Sequence, residues 1–287
     1  MVPHQALALS FLIAFALQPA TPAPPPPPRE SFADLPGVRL CYRDTGGDGI
    51  PVVLMHAATG SSRVWEYQIP AFTAAGFRVI AFDRRGFGAT TSAPGGVQPG
   101  TAADDLQALM DHLHIDRFHL LGTAAGGFAS IDYALAFPQR LRSLVIANTI
   151  GGVQDESYLA LGRRIRPPEF NALPADVREL GPSYRAANPD GTRRWIELER
   201  SNRAPGTPPT AQTMRHTLTF ALVSTIKPPT LVLTGGADLY APPPVMQMFA
   251  ERIKGAELVV VPEAGHSAYW EQPEAFNSAV LAFMRKH

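Results

Sequence analysis

His119-Leu120-Leu121-Gly122-Thr123-Ala124-Ala125-Gly126-Gly127 decides how the rest of the chain reads. An apolar run passes straight into a cluster of very small residues, and the helix-compatible stretch Ala125 to Phe137 follows. Strand, tight turn and helix in that order describe a nucleophile elbow, whose usual pattern is G-x-S-x-G. The turn is sharp enough to strain its central residue, so its neighbours must be small. Gly122, Ala125, Gly126 and Gly127 meet that demand. The central position is Ala124, which has no hydroxyl with which to attack a carbonyl. On its own the segment reads equally as an ordinary strand-to-helix turn or a weak phosphate loop.

Downstream, two further strand ends carry polar residues of the right kind. Asp238 follows the apolar run Pro229 to Gly235, and His266 follows Glu257 to Glu263. Nucleophile slot, acid and base thus occur in that order, each just after a strand. A parallel sheet gathers such ends on one edge, where an acid can orient a histidine and the histidine can meet a nucleophile. Each residue alone reads as a loop histidine or a turn aspartate; the joint pattern is what argues for a site.

The remaining pattern supports an α/β fold. Val38 to Arg43, Pro51 to Ala57, Arg78 to Asp83, Phe118 to Gly122 and Leu141 to Asn148 read as strands. Ser61 to Ala75 and Thr101 to Leu113 read as helices, the latter with Leu106, Leu109, Met110 and Leu113 on one face and Thr101 as a cap. The strand runs are continuously apolar rather than alternating, as in a parallel sheet covered on both faces. We expect a mostly parallel sheet of about eight strands with helices on both sides. Residues 31–150 and 226–287 form this core. Between them, 151–225 is arginine-rich, free of strand patterns and broken by prolines, and reads as an inserted helical cap over the strand ends, where ligands of such sheets bind.

Residues 1–30 read differently. Ala6 to Leu17 is an uncharged run too short to span a bilayer and suited to a signal-peptide core, although no Lys or Arg precedes it. Ala14-Phe15-Ala16 and Thr21-Pro22-Ala23 offer two cleavage contexts. Five successive prolines then form a stiff spacer. An exported protein, periplasmic or secreted, is expected, with no transmembrane span once mature; the N-terminal segment is either removed or serves as a tether.

From about Val38 to Arg285 the chain resembles the α/β-hydrolase superfamily. DRRGFG (Asp83 to Gly88), GTAAGG (Gly122 to Gly127) and GHSAYWEQPEAFNSAVLAF (Gly265 to Phe283) look most like two groups within it. These are the 3-oxoadipate enol-lactone hydrolases and the meta-cleavage-product hydrolases, which cut a C–C bond beside a carbonyl. The resemblance implies an oxyanion hole from the backbone N–H groups of Ala58, in His56-Ala57-Ala58-Thr59-Gly60, and of Ala125. Such donors are worth roughly 2.7–4 kcal/mol each. It also matches Arg194-Trp195, loosely, to an arginine–aromatic pair that holds a substrate carboxylate. Thr123 and Ser267 depart from the C–C hydrolases, which have Asn and Trp there.

Three explanations fit Ala124. The chain is a Ser-to-Ala variant of a hydrolase, or an enzyme whose His266–Asp238 dyad acts as general base without serine, or a catalytically silent small-molecule binder on the same fold. Retention of the acid and the histidine argues against the last. Thr123 points elsewhere on such an elbow, and Ser130 lies down the following helix.

The function expected is therefore hydrolysis of an ester, a lactone or an activated C–C bond in a small carbonyl substrate. The acids and bases balance at 25 each, which gives no sign of a nucleic-acid partner. One cysteine, Cys41, excludes an intrachain disulfide and reads as a buried strand residue. No metal motif or dinucleotide loop occurs, so no cofactor is indicated; His112 and His114 diverge on a helix. Arg163, Arg164, Arg166, Arg178, Arg185, Arg193, Arg194, Arg200 and Arg203 outnumber the acids of the cap. They are either solvated helix faces or an attraction for an anionic substrate. Trp65, Trp195, Trp270, Phe220 and Tyr240 are candidates for an apolar pocket lining or simply for packing.

Overall fold

The computed structural model describes residues 28–92, 100–203 and 212–287. The export segment and its cleavage contexts lie outside the described residues. The chain then runs β1 (Arg29–Leu35), β2 (Val38–Asp44), β3 (Ile50–Met55), α1 (Gln68–Ala74), β4 (Phe77–Phe82), β5 (Thr91–Ser92), α2 (Ala102–His112), β6 (Phe118–Thr123), α3 (Ala125–Ala136) and β7 (Leu141–Ala147). Among the described residues five α-helices follow before the next strand: α4 (Glu156–Ile165), α5 (Ala175–Glu179), α6 (Pro182–Ala187), α7 (Pro189–Arg200) and α8 (Phe220–Val223). The chain closes with β8 (Thr230–Gly235), α9 (Pro243–Ala250), β9 (Glu257–Val261), α10 (Ala268–Glu271) and α11 (Pro273–Met284).

Among the described residues the sheet has nine strands in the order β1-β2-β4-β3-β6-β7-β8-β9, with β5 against β2. β4, β3, β6, β7, β8 and β9 are parallel; β1, β2 and β5 join antiparallel at one side. Successive strand residues feed opposite cores. Val53, Met55 and Leu120 pack with α2, α3 and α9, while Val52, Leu54 and Leu121 pack with α1 and α11. Both faces of the central strands are thus covered, which is why their sequences are continuously apolar.

The expected pattern needs three adjustments. β1 begins at Arg29, inside the stretch read as linker, and only Ala33 of its seven residues is buried. β1 and the two-residue β5 add to the seven strand runs read from the sequence and give nine among the described residues, against about eight expected. The helix expected over Ser61 to Ala75 is instead a 3-10 turn at Ser62–Val64 followed by α1. Pro70 explains the break: starting at Gln68 puts the proline in the first turn, where its missing N–H costs nothing. β9 is the sheet's outer strand, and Leu258 and Val260 stay exposed.

Candidate active site

The carboxyl ends of β3, β6, β7, β8 and β9 meet on one edge of the sheet, and each contributes. Ala124, directly after β6, has φ 50° and ψ −118°, a conformation L-residues avoid. Its N–H donates to the carbonyls of Ala147 and Asn148, 3.1 Å each, and its carbonyl accepts from the Thr149 hydroxyl at 2.6 Å and from Gly127 N–H. The small neighbours are needed sterically. A Cβ on Gly126 would overlap the Met55 carbonyl at the end of β3, and one on Gly127 would strike Thr149. Ser130 is buried within α3, with its hydroxyl donating to the Gly126 carbonyl and turned to Met55.

His266 and Asp238 do meet. The imidazole Nδ1–H points at the carboxylate, 2.9 Å from both oxygens. Asp238 also accepts from the N–H groups of Tyr240 (2.8 Å) and Ala241 (2.9 Å), and from the Asn148 amide (3.0 Å). Burial pushes that carboxyl upward, but the charge and hydrogen bond of His266 and the other donors outweigh it and hold it below the usual range. For His266 burial favours the neutral ring, yet Asp238 wins and raises it above 6.5. The Tyr240 ring lies on the imidazole, centroids 4.4 Å apart. Among the described residues no hydrogen bond engages Nε2. It is the ring atom left for chemistry.

Ala58, Ala124, Ala125 and His266 border one cavity of about 270 Å³, with Phe128 and Ile150 as apolar walls and Arg178, Glu179 and Tyr240 completing it. Ala125 opens α3, so its N–H has no partner within the helix. The Ala58 N–H belongs to a peptide whose carbonyl, on Ala57, accepts from His56 Nδ1–H at 2.7 Å and from Gly60 N–H at 3.2 Å. A trans peptide then fixes the N–H in the opposite direction. His56 itself is locked: Nε2 accepts from Arg84 N–H at 3.1 Å, and burial, aided by the Arg84 charge, drops its pKa to about 3. It stays neutral, with the proton on Nδ1.

The three tentative substrate contacts are not here. Arg194 is half-exposed, pairs with Glu66 at 2.5 Å and Glu197 at 3.3 Å, and borders a separate cavity of about 450 Å³ that shares none of the residues above. Trp195 and Trp270 are buried in the α1/α11 core, Trp270 with its indole N–H on the Gly191 carbonyl. Trp65 and Phe220 are core residues too; of the aromatics considered, Tyr240 alone reaches the cavity. Asn148, Thr149, His56 and Glu179 went unread in the sequence. Only the Asn-Thr pair closing an apolar strand gave a signal, since Asn tolerates the positive φ (45°) it adopts.

A family model described as "alpha/beta hydrolase fold" matches residues 50–273, most of the chain and all of this edge. The chain belongs to the α/β-hydrolase fold family. Within the family it is similar to a 3-oxoadipate enol-lactonase of Acinetobacter baylyi, 27% identical over 87% of this chain and 94% of the relative. It is also similar to a 2-hydroxy-6-oxononadienedioate/2-hydroxy-6-oxononatrienedioate hydrolase of Burkholderia vietnamiensis, 28% identical over 87% and 92%. Among solved structures, a thermophilic esterase from Thermogutta terrifontis superposes with TM-score 0.75 at 28% identity, over 90% of this chain and 98% of that one. Among the described residues no group of His, Cys, Asp and Glu side chains is arranged to hold a metal, and no helix is long and apolar enough to cross a membrane.

Proposed function

We propose that this protein is a cofactor-free hydrolase of a small ester, lactone or activated C–C bond beside a carbonyl, working without a serine nucleophile. The observation that carries the reading is the His266–Asp238 pair. Its carboxylate is fully hydrogen-bonded, and its free Nε2 borders the same cavity as the Ala124 methyl. His266 takes a proton from water or from a substrate C–H, Asp238 fixes the tautomer and stabilises the imidazolium, and the Ala58 and Ala125 amides hold the oxyanion. The helices between β7 and β8 act as the lid: α5 delivers Arg178 and Glu179 to the cavity.

An anionic substrate fits two of the cap arginines, Arg178 and Arg203, and one outside the cap, Arg84. Arg163, Arg193 and Arg194 are tied up in surface ion pairs. Arg178 borders the site cavity, and an adjoining cavity of about 310 Å³, which shares Ala58, Ala125 and Phe128, holds Arg84 and Arg203. Neither has an ion-pair partner among the described residues, and the stretches 1–27, 93–99 and 204–211 contain no Asp or Glu. Burial and the Arg203 charge lower Arg84 to about 10. Unpaired guanidinium groups beside the reacting carbonyl suit a substrate carboxylate.

A panel of esters, enol-lactones and diketones tests the reading on the chain itself, Ala124→Ser and His266→Ala. Turnover by the chain, lost about 10²-fold or more in His266→Ala with no acyl adduct by mass spectrometry, is the expected result. Activity only after serine is restored would instead mark a disabled serine hydrolase.

A further inference from the structure

The mechanism so far leaves one buried ionisable side chain of the cavity without a task. Glu179 closes α5, is 5% exposed, and borders the cavity together with His266, Ala124, Ala58 and Ala125. Its Oε2 is sealed from solvent without a hydrogen-bond partner, and no hydrogen bond reaches Oε1 among the described residues. A carboxyl kept for structure looks different. Glu271, also buried and closing α10, accepts from the Gly181 and Gly265 N–H groups. Glu179 is also held in place by its backbone rather than its side chain: its carbonyl accepts from Ser267 N–H, the residue after the histidine, at 3.0 Å.

We propose that Glu179 is the general acid of the site, donating a proton to the group that leaves as His266 activates water. The inference rests on the base role of His266. For an ester RCO–OR′, a water lone pair attacks the carbonyl carbon while His266 Nε2 takes one water proton, and the carbonyl π pair moves onto oxygen between the Ala58 and Ala125 amides. That pair re-forms C=O, the C–OR′ bond breaks, and Glu179 protonates the departing oxygen. Acid and alcohol result. The imidazolium returns its proton to the Glu179 carboxylate through water, which resets the site.

Burial shifts this carboxyl toward its protonated form. Burial raises the Glu179 pKa first of all; His266 and Arg178 oppose this, and Asp238 and Glu199 add to it. Tyr240 and Tyr269, the other titratable groups that feel its charge, are themselves held neutral, Tyr240 raised to about 12.

The test compares the chain with Glu179→Gln on the ethyl and p-nitrophenyl esters of one carboxylic acid, with His266→Ala alongside. Gln keeps the size of the side chain but cannot give up a proton. The ethyl ester should lose about 10²- to 10⁴-fold in kcat/KM. The p-nitrophenyl ester, whose phenoxide leaves unaided, should lose at least about tenfold less. The alkaline fall in the ethyl-ester pH profile should vanish in the variant, and infrared spectra at neutral pH should show a carboxylic-acid carbonyl band that Glu179→Gln lacks. Equal losses on both esters, or no such band, overturn the assignment while leaving His266 in place. Unchanged activity in His266→Ala, or none on either ester in the chain itself, overturns the base reading and this one with it.

Discussion

Ala124 should become more stable as glycine, which is unusual for a helix-entry alanine. Its φ of 50° and ψ of −118° cost of order 1–3 kcal/mol for a residue with a Cβ. Glycine relieves that strain but brings back about 0.5–1 kcal/mol of unfolded-chain entropy. Little packing is lost, since the methyl is only partly buried and borders a cavity. The net gain is up to about 2.5 kcal/mol, a rise in Tm of up to roughly 5 °C at about 2 °C per kcal/mol for a chain this size. Reversible urea unfolding followed by circular dichroism measures it, with Ala186→Gly on the exposed face of α6 as the ordinary case, expected to lose about 1 kcal/mol. If Ala124→Gly is destabilised as Ala186→Gly is, the backbone at 124 is unstrained and the elbow geometry is wrong.

Gly126→Ala should lose about 1–3 kcal/mol or more in the same assay, because its Cβ would overlap the Met55 backbone, which cannot rotate away. Asp238→Asn should lower kcat about 10⁴-fold with small change in KM, since an amide puts N–H groups against the Tyr240, Ala241 or Asn148 donors and loosens the tautomer of His266; a loss below about tenfold would remove Asp238 from the mechanism. The Asp238–His266 pair also sets a pH signature. The raised His266 contributes stability in full below 6.5, lost as pH rises through its folded value; the lowered Asp238 contributes above 3.8, lost as pH falls through its own. Unfolding curves of the chain and His266→Gln should therefore differ most between those limits. Activity, which needs the neutral ring, should rise as pH passes through the folded value of His266, where that difference shrinks; parallel profiles would contradict the base role.

Most of this edge was legible because its chemistry is local. Ala124 sits in a run of residues that only a tight turn requires, and Asp238 and His266 each follow an apolar strand by a few positions, so topology alone brings them together. Residues whose role depends on tertiary neighbours carried no such mark. His56 works through a bond to its own next carbonyl, and Glu179 reads as one more charge on a short helix until its burial is seen. Arg194-Trp195 failed for the converse reason: the pair looks right along the chain, but adjacent residues on a helix face different ways, and here one met Glu66 while the other entered the core. β1 was missed because an exposed outer strand needs few apolar residues.

The stitches between the 179–181 segment and the histidine loop have a mechanical consequence. Ser267 N–H on the Glu179 carbonyl, and the Gly181 and Gly265 amides on one carboxylate of Glu271, clamp this corner shut. Swinging it outward would drag the imidazole with it. The doorway for incoming molecules has to open at the far side instead, past Phe128, whose ring is common to three adjoining chambers. Traffic through the protein would then leave its base undisturbed.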